Sequence, residues 1–368
     1  MKHGGDVVIL GGGVIGLTTA YFLAREGVSV QVLDQGPVGR EASWAGAGIL
    51  PPSNWETARH PFDRLRALSG RLFPGLSAEL RERTGIDNGY IRCGGIEFLG
   101  RHGDADAQEW AGEGIPIELL PDATKIEPAV APGLGKVALV PTMAQLRNPW
   151  HLRALRTGCE NSGKVRFLEG VQAKEFITRG EQLRSVATSA DTIDGDTFLL
   201  ATGAWTDRLL GHLGLHTGIR PVRGQIALLN PGRALFRRVL ILGARYLVPR
   251  QDGRVLAGST EEEVGFEKQT TAQGIAGLIQ LAVDLVPALA EADVERCWAG
   301  LRPGSPDGLP FIGPVPGVSN LLVAAGHFRA GIQLSPGTAQ LIKERILGQP
   351  LSMSLEAFRV ERDIREPD

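Results

Sequence analysis

One stretch near the start of the chain constrains the fold more than any other. Residues 6–10 form a short apolar run, Gly11-Gly12-Gly13-Val14-Ile15-Gly16 follows, and residues 15–26 then carry apolar side chains at helical spacing. The order is buried strand, glycine turn, helix, matching GxGxxG at Gly11, Gly13 and Gly16. Gly27 stops the helix, residues 28–33 form a second apolar strand, and Asp34 stands at its end. The first glycine permits a tight turn, the second lets a pyrophosphate approach the backbone, and the third lets the helix pack closely on the strand. The phosphates then meet free N–H groups and the positive end of the helix dipole. Asp34 is placed to accept hydrogen bonds from a ribose hydroxyl, and its charge disfavours a 2′-phosphate. A lone GxGxxG also occurs as a glycine-rich turn of other α/β folds. Here strand, helix and acid stand in order, so a dinucleotide is expected, FAD or NAD rather than NADP.

With 368 residues the chain exceeds one comfortable core, which suggests two domains. Glycine is in excess, 49 residues without a Gly-X-Y period, so the surplus belongs to turns and close backbone approaches. Lys+Arg 39 against Asp+Glu 41 argues against a basic nucleic-acid binder. Cys93, Cys159 and Cys297 are far apart, form no CxxC and suit a reducing compartment. The seven histidines show no HxH or HExxH, so no metal is expected. Between Asp6 and Arg25 lie only uncharged residues, a run near the lower edge of membrane-spanning length. Three consecutive glycines break it as a helix and no clean cleavage site follows, so a soluble, cytoplasmic protein without a membrane partner is expected.

Later segments separate FAD from NAD. Residues 40–50, REASWAGAGIL, are a small-residue loop whose backbone can lie against a flat ring. Residues 197–201 read as a strand running into Thr202-Gly203-Ala204-Trp205. Residues 320–325 read as another, followed by Gly326-His327-Phe328-Arg329-Ala330-Gly331 and a helix at about 332–347.

On these stretches the chain resembles the D-amino acid oxidase superfamily of FAD enzymes, and within it the glycine oxidases of the thiamine pathway. The resemblance rests on GGGVIGLTTAYFLAREGVSVQVLD, GREASWAGAGIL, YLVPRQDGRVLAGST, CWAGLRPGSPDGLPFIGPVP and NLLVAAGHFRAGIQLSPGTAQLI, and spans about residues 6–348. The first stretch is common to many flavoproteins; GREASWAGAGIL, GLRPGSPDG and GHFRAG are more specific. The resemblance implies an α/β fold: a Rossmann-like FAD-binding domain from residues 1–88, 148–218 and 300–368, and an α+β substrate domain with a large antiparallel sheet from 89–147 and 219–299. The residues agree coarsely. Runs 223–229, 239–248 and 253–258 alternate like antiparallel strands, Gln251-Asp252-Gly253 suits a hairpin turn, 118–140 is rich in Pro and Gly, and 361–368 resembles a solvated tail. Non-covalent FAD is implied, held by Gly11, Gly13, Val14, Ile15, Gly16, Asp34, Gln35, Ala42, Ser43, Ala47, Gly48, Ile49, Ala173, Gly203 and Trp205. Residues His327, Phe328, Arg329, Ala330, Gly331, Ile332 and Gln333 complete that set, with the helix start facing the flavin O2 edge.

Amino-acid oxidation leaves the hard chemistry to the cofactor. The protein must hold the carboxylate, orient the α-hydrogen and accept developing charge. Arg302 lies in the otherwise uncharged run WAGLRPG, and a guanidinium can grip a carboxylate through two parallel hydrogen bonds. The resemblance places the carboxylate-binding arginine there; a surface arginine before a turn is the plainer alternative. A buried Tyr246 phenol wants a polar partner, and the resemblance supplies the same carboxylate. Arg329 becomes a substrate-pocket residue by the resemblance, or a helix-capping surface arginine without it. His327 is taken as a backbone position of the flavin loop rather than a base.

Some positions depart from the pattern. Ile49 and Glu261 stand where methionines are expected in glycine oxidases, and Asp34 replaces the commoner glutamate. Glu261 puts a carboxylate near the pocket, able to disfavour an incoming carboxylate or to grip an amine. The implied activity is FAD-dependent oxidation of glycine, sarcosine and small D-amino acids, with oxygen reduced to hydrogen peroxide, a role in thiazole synthesis and a homotetrameric assembly. A D-amino acid dehydrogenase feeding a quinone and an inactive flavin-binding subunit are the alternatives. Covalent sarcosine oxidases carry a cysteine where this chain has Gly300, which excludes covalent attachment there.

Overall fold

Parallel strands buried on both faces form the first half of the molecule. The computed structural model describes residues 5–99 and 103–363. Strand Gly5–Leu10 pairs in parallel with Val30–Asp34 on one side and Thr192–Leu200 on the other. Val165–Glu169 extends the sheet beyond Val30–Asp34, and Leu321–Ala325 extends it beyond Thr192–Leu200, both in parallel. Antiparallel strands Phe311–Pro314, Gln182–Thr188 and Ala173–Arg179 complete eight strands. Val7, Val8, Ile9 and Leu10 are all buried, which is why this strand reads as a continuous apolar run rather than an alternating one. Helices Val14–Arg25, Pro61–Thr84, Asn148–Asn161 and Gly331–Ile346 share one apolar core against this sheet.

The glycine turn works as the sequence requires. Gly11 has φ +106°, and a Cβ there would overlap the Ala201 carbonyl. A Cβ on Gly16 would overlap the Gly11 carbonyl, so the third glycine serves helix–strand packing. Gly27 ends the first helix at φ +83°.

The second eight-stranded sheet runs Asp293–Gly304, Arg220–Asn230, Val255–Gly258, Arg245–Pro249, Val239–Leu242, Gly95–Phe98, Val137–Val140, Glu118–Leu120. Its neighbours are antiparallel except Val239–Leu242 with Gly95–Phe98. The run 239–248 divides into two strands, and the turn at 251–253, with Gly253 at φ +88°, joins Arg245–Pro249 to Val255–Gly258. Helix Ala272–Leu285 packs its apolar face on this sheet. Strand Asp293–Gly304 pairs along its length with Arg220–Asn230, so a boundary at 299/300 falls inside one strand. A small sheet of Ile49–Leu50, Ala144–Gln145 and Ile91–Arg92 completes the strands among the described residues. No helix of the described residues is long and apolar enough to cross a membrane. The tail expected at 361–368 lies outside the described residues beyond Asp363.

Strands Gly5–Leu10, Thr192–Leu200 and Leu321–Ala325 all run in one direction, so the loops that follow them meet at one edge of the sheet, where open α/β folds bind ligands.

Candidate active site

A cavity of about 760 Å³ opens at that edge, within the ~300–1,000 Å³ range of small-molecule sites. Gly11, Gly13, Val14 and Ile15 line it, as do Asp34, Gln35, Ala42 and Ser43. Ala47, Gly48, Ile49, Ala173, Gly203 and Trp205 line it too, together with every residue from His327 to Gln333. Tyr246 and Arg302 share the same wall. Gly16, expected among the cofactor contacts, does not line the cavity; it packs on Gly11 instead.

Two helices begin at this cavity, Val14–Arg25 after Gly13 and Gly331–Ile346 after Ala330. Neither has a side-chain cap or an acidic residue in its first turn. Apart from Val14 N–H, which Ser43 Oγ takes, these starts leave N–H donors for an anion. Asp34 is shielded from solvent, and its carboxylate accepts from Gly12 N at 2.8 Å and Gly36 N at 2.9 Å. Burial raises its pKa while these two amides pull it down. The glycine turn, two helix starts without an acidic first turn and an acid at the second strand end fit FAD.

The 42–48 loop is held from behind. Ser43 Oγ accepts from Val14 N at 2.9 Å, and the Ser43 carbonyl accepts from Asn148 Nδ2 at 2.7 Å. Asn148 is fully buried on the cavity wall, and its Oδ1 has no partner among the described residues. A Cβ on Gly48 would stand 2.5 Å from that oxygen, so the loop must be glycine there. Arg250, 8% exposed, donates to the Ala47 carbonyl at 2.7 Å, to Gln145 Oε1 at 2.7 Å and to the Leu146 carbonyl at 3.0 Å. Burial pulls its pKa down to about 10, leaving it charged at neutral pH. Sequence reasoning missed both residues; a charge in the apolar run YLVPRQDG was the available signal for Arg250.

Arg302 and Tyr246 stand over two glycines. A Cβ on Gly224 would overlap the Arg302 guanidinium, and one on Gly258 would come within 2.6–2.8 Å of the Tyr246 ring and hydroxyl. Arg302 Nη2 donates to Ser259 Oγ at 2.7 Å and Nη1 to the Thr260 carbonyl at 3.1 Å. Burial lowers its pKa, with the Tyr246 phenol acting in the opposite direction. Neither of these acceptors is a carboxylate, so the charge is left for a ligand. Arg329 is different: it forms an ion pair with Glu261, and burial lowers its pKa.

His327 is buried, its Nε2 lies 3.0 Å from Thr338 Oγ1, and burial pushes its pKa down to about 3. The imidazole is therefore neutral and engaged by the last helix. Phe328 has φ +47°, an uncommon conformation for an aromatic residue, at the turn into that helix. A Cβ on Gly300 would stand 2.5 Å from Ala45 Cβ, so a side chain has no room where covalent relatives place cysteine. The three cysteines are free, and no metal-binding group occurs among the described residues.

Comparison with known proteins adds four findings. The FAD dependent oxidoreductase family matches residues 6–345. Glycine oxidase of Pseudomonas aeruginosa is 36% identical over 346 residues, covering 93% of this chain and 95% of its own length. The bifunctional protein ThiO/ThiG of Synechocystis is 34% identical and matches 98% of this chain, which covers 54% of that protein. The crystal structure of glycine oxidase from Geobacillus kaustophilus superposes with a TM-score of 0.92 at 31% identity, covering 99% of this chain and 100% of that one.

Proposed function

The chain belongs to the FAD dependent oxidoreductase family, and from that premise we propose that it oxidises glycine and similarly small amines, sarcosine and small D-amino acids among them. The observation that carries this reading is Arg302. It is a shielded cation held by a hydroxyl and a carbonyl, beside Tyr246, in the cavity onto which two uncapped helix starts open.

Bound FAD supplies the hydride acceptor, and its reoxidation by oxygen gives hydrogen peroxide. Gly11, Gly13, Asp34, Ser43 and the 327–333 turn would hold it. Arg302 takes the substrate carboxylate through its planar fork, which fixes distance and plane together. Tyr246 donates its phenolic proton to the same carboxylate. Gly224 and Gly258 leave the space in which these two side chains lie. With the carboxylate fixed, the α-carbon is confined to one position in the cavity. His327 is neutral and bonded to Thr338, so the substrate ammonium loses its proton to solvent rather than to this imidazole.

The proposal extends to the context. The imine hydrolyses to glyoxylate and ammonia or feeds thiazole synthesis, a role supported by the resemblance to glycine oxidases of the thiamine pathway. Free, well-separated cysteines support a cytoplasmic setting, and the resemblance supports a homotetramer. The half built on the first sheet serves the cofactor and the half built on the second serves the substrate. The test is peroxide release from the purified holoenzyme with glycine, sarcosine and D-alanine against D-phenylalanine and D-methionine. The small substrates are expected to lead in kcat/KM. Faster turnover of the bulky pair overturns the substrate assignment, and flavin bleaching without peroxide overturns oxygen as acceptor.

A further inference from the structure

The four residues after strand Val255–Gly258 address three arginines in turn. Ser259 Oγ and the Thr260 carbonyl accept from Arg302. Glu261 pairs with Arg329, and Glu262 pairs with Arg223, accepting from its Nε at 2.7 Å. The segment is firmly seated at Glu262. Its backbone exchanges two hydrogen bonds with Arg223, 2.8 and 3.0 Å, and Oε1 accepts from buried Gln225 at 2.7 Å. Glu261 is thus presented to Arg329 by an anchored neighbour rather than by a free loop.

The charges of the two cavity-lining arginines beside Tyr246 are consequently unequal. Arg302 is met by neutral acceptors and keeps its positive charge for a ligand. Arg329 is met by a carboxylate and is neutralised. Glu262, the other acid acting on Arg302, is already paired with Arg223. Lys174 and Arg208 also line the cavity, but Lys174 belongs to strand Ala173–Arg179 of the first sheet, and Arg208 lies 3.8 Å over the Phe266 ring. Of the two arginines beside Tyr246, a substrate with one carboxylate therefore finds one, Arg302, that no carboxylate meets. A substrate with two meets Glu261 where its second charge would need a partner.

We propose that Glu261, by neutralising Arg329, makes this pocket selective for amines with a single carboxylate and against dicarboxylic ones. The proposal deepens the carboxylate-binding role given to Arg302 and rests on it. Glu261 is a specificity determinant that acts through Arg329, with no part in the oxidation itself.

Binding measurements test this without any turnover. Methoxyacetate and diglycolate are the ether analogues of sarcosine and iminodiacetate; they differ by one carboxylate and have no amine to oxidise. Their dissociation constants are read from the perturbation of the flavin absorption in wild-type holoenzyme, Glu261→Gln and the double variant Glu261→Gln/Arg329→Met. In Glu261→Gln the preference for methoxyacetate over diglycolate is expected to fall about three- to fivefold, the scale of a half-exposed charge interaction. In the double variant it is expected to return to the wild-type ratio, because the freed cation is gone. A ratio in Glu261→Gln within a factor of about 1.5 of wild type overturns the proposal. So does a fall that persists in the double variant, since Arg329 would then play no part. If wild-type enzyme binds neither acid, the carboxylate site itself is refuted, and the selectivity proposal with it. If both acids bind but glycine is not oxidised, only the activity assignment fails.

Discussion

Gly224→Ala separates positioning of the substrate cation from stability of the fold. Gly224 lies in strand Arg220–Asn230 opposite Gly300, in backbone that alanine adopts without strain. The three atoms nearest the added Cβ, at 2.1–2.3 Å, all belong to the Arg302 guanidinium, the far end of a flexible side chain. The arginine can swing aside, so the fold loses little, but Arg302 leaves its seat on Ser259 and Thr260. Losing one charge-assisted hydrogen bond to the carboxylate costs ~1.5–3 kcal/mol, or about 10- to 150-fold in kcat/KM. The assay is steady-state peroxide release with glycine and sarcosine, accompanied by flavin content and Tm. Activity is expected to fall in that range with flavin content unchanged and Tm lowered by no more than a few degrees. A variant with normal Tm that keeps kcat/KM within about threefold would show that Arg302 does not set the carboxylate's position.

Other perturbations probe the remaining parts. Gly11→Ala drives a Cβ into the Ala201 carbonyl at φ +106°, a backbone clash that no side chain can relieve, so loss of flavin binding and a large fall in Tm are expected; a holoenzyme of normal Tm refutes the turn geometry. Asp34→Ala removes the acceptor for Gly12 N and Gly36 N, and is expected to weaken FAD by ~1–3 kcal/mol in a flavin-titration assay; unchanged affinity shows that Asp34 does not serve the cofactor. His327 and His151 are buried with pKa values lowered to about 3 and about 4, so the unfolded chain binds more protons below pH ~6.5. Stability therefore falls as pH drops from about 6.5 toward these values, and His327→Gln is expected to flatten the fall in Tm between pH 6.5 and 4.5; an unchanged slope refutes the neutral buried imidazole. Acid precipitation is expected to release the flavin into the supernatant, because Gly300 faces Ala45 Cβ with no side chain to bond; colour in the pellet refutes non-covalent binding.

The legible parts of the site are those whose constraint is local in sequence. Gly11, Gly16, Gly27 and Asp34 sit within one strand–helix–strand unit, and each needs a particular residue type for a reason that a few neighbours supply. The 327–333 turn was readable for the same cause: a strand, glycines and a helix start in order. Gly224 and Gly258 were not. Their meaning is the side chain that lies over each, and Arg302 reaches Gly224 only because two strands of the second sheet pair across some eighty residues. Asn148 supports the 43–48 loop from a helix start about a hundred residues away, and nothing near it in sequence marks the debt. Glu261 stood out as a departure from the expected methionine, yet its partner Arg329 appears only in three dimensions. The second sheet was visible as alternating runs, but its order, with Gly95–Phe98 and Val137–Val140 set beside strands from 220 onward, depends on long-range pairing.

The central claim, that this cavity oxidises a small amino acid anchored by Arg302, is tested most directly by anaerobic rapid mixing. Wild-type holoenzyme mixed with glycine without oxygen is expected to lose its oxidised flavin absorption, with peroxide appearing once oxygen is admitted. Arg302→Lys offers a point charge without the planar fork, and is expected to lower the apparent second-order rate of bleaching about 10- to 150-fold. A simple alkylamine, lacking the carboxylate, is expected to reduce both proteins poorly and equally. No bleaching of wild type by glycine, or bleaching of Arg302→Lys within about threefold of wild type, would contradict the account.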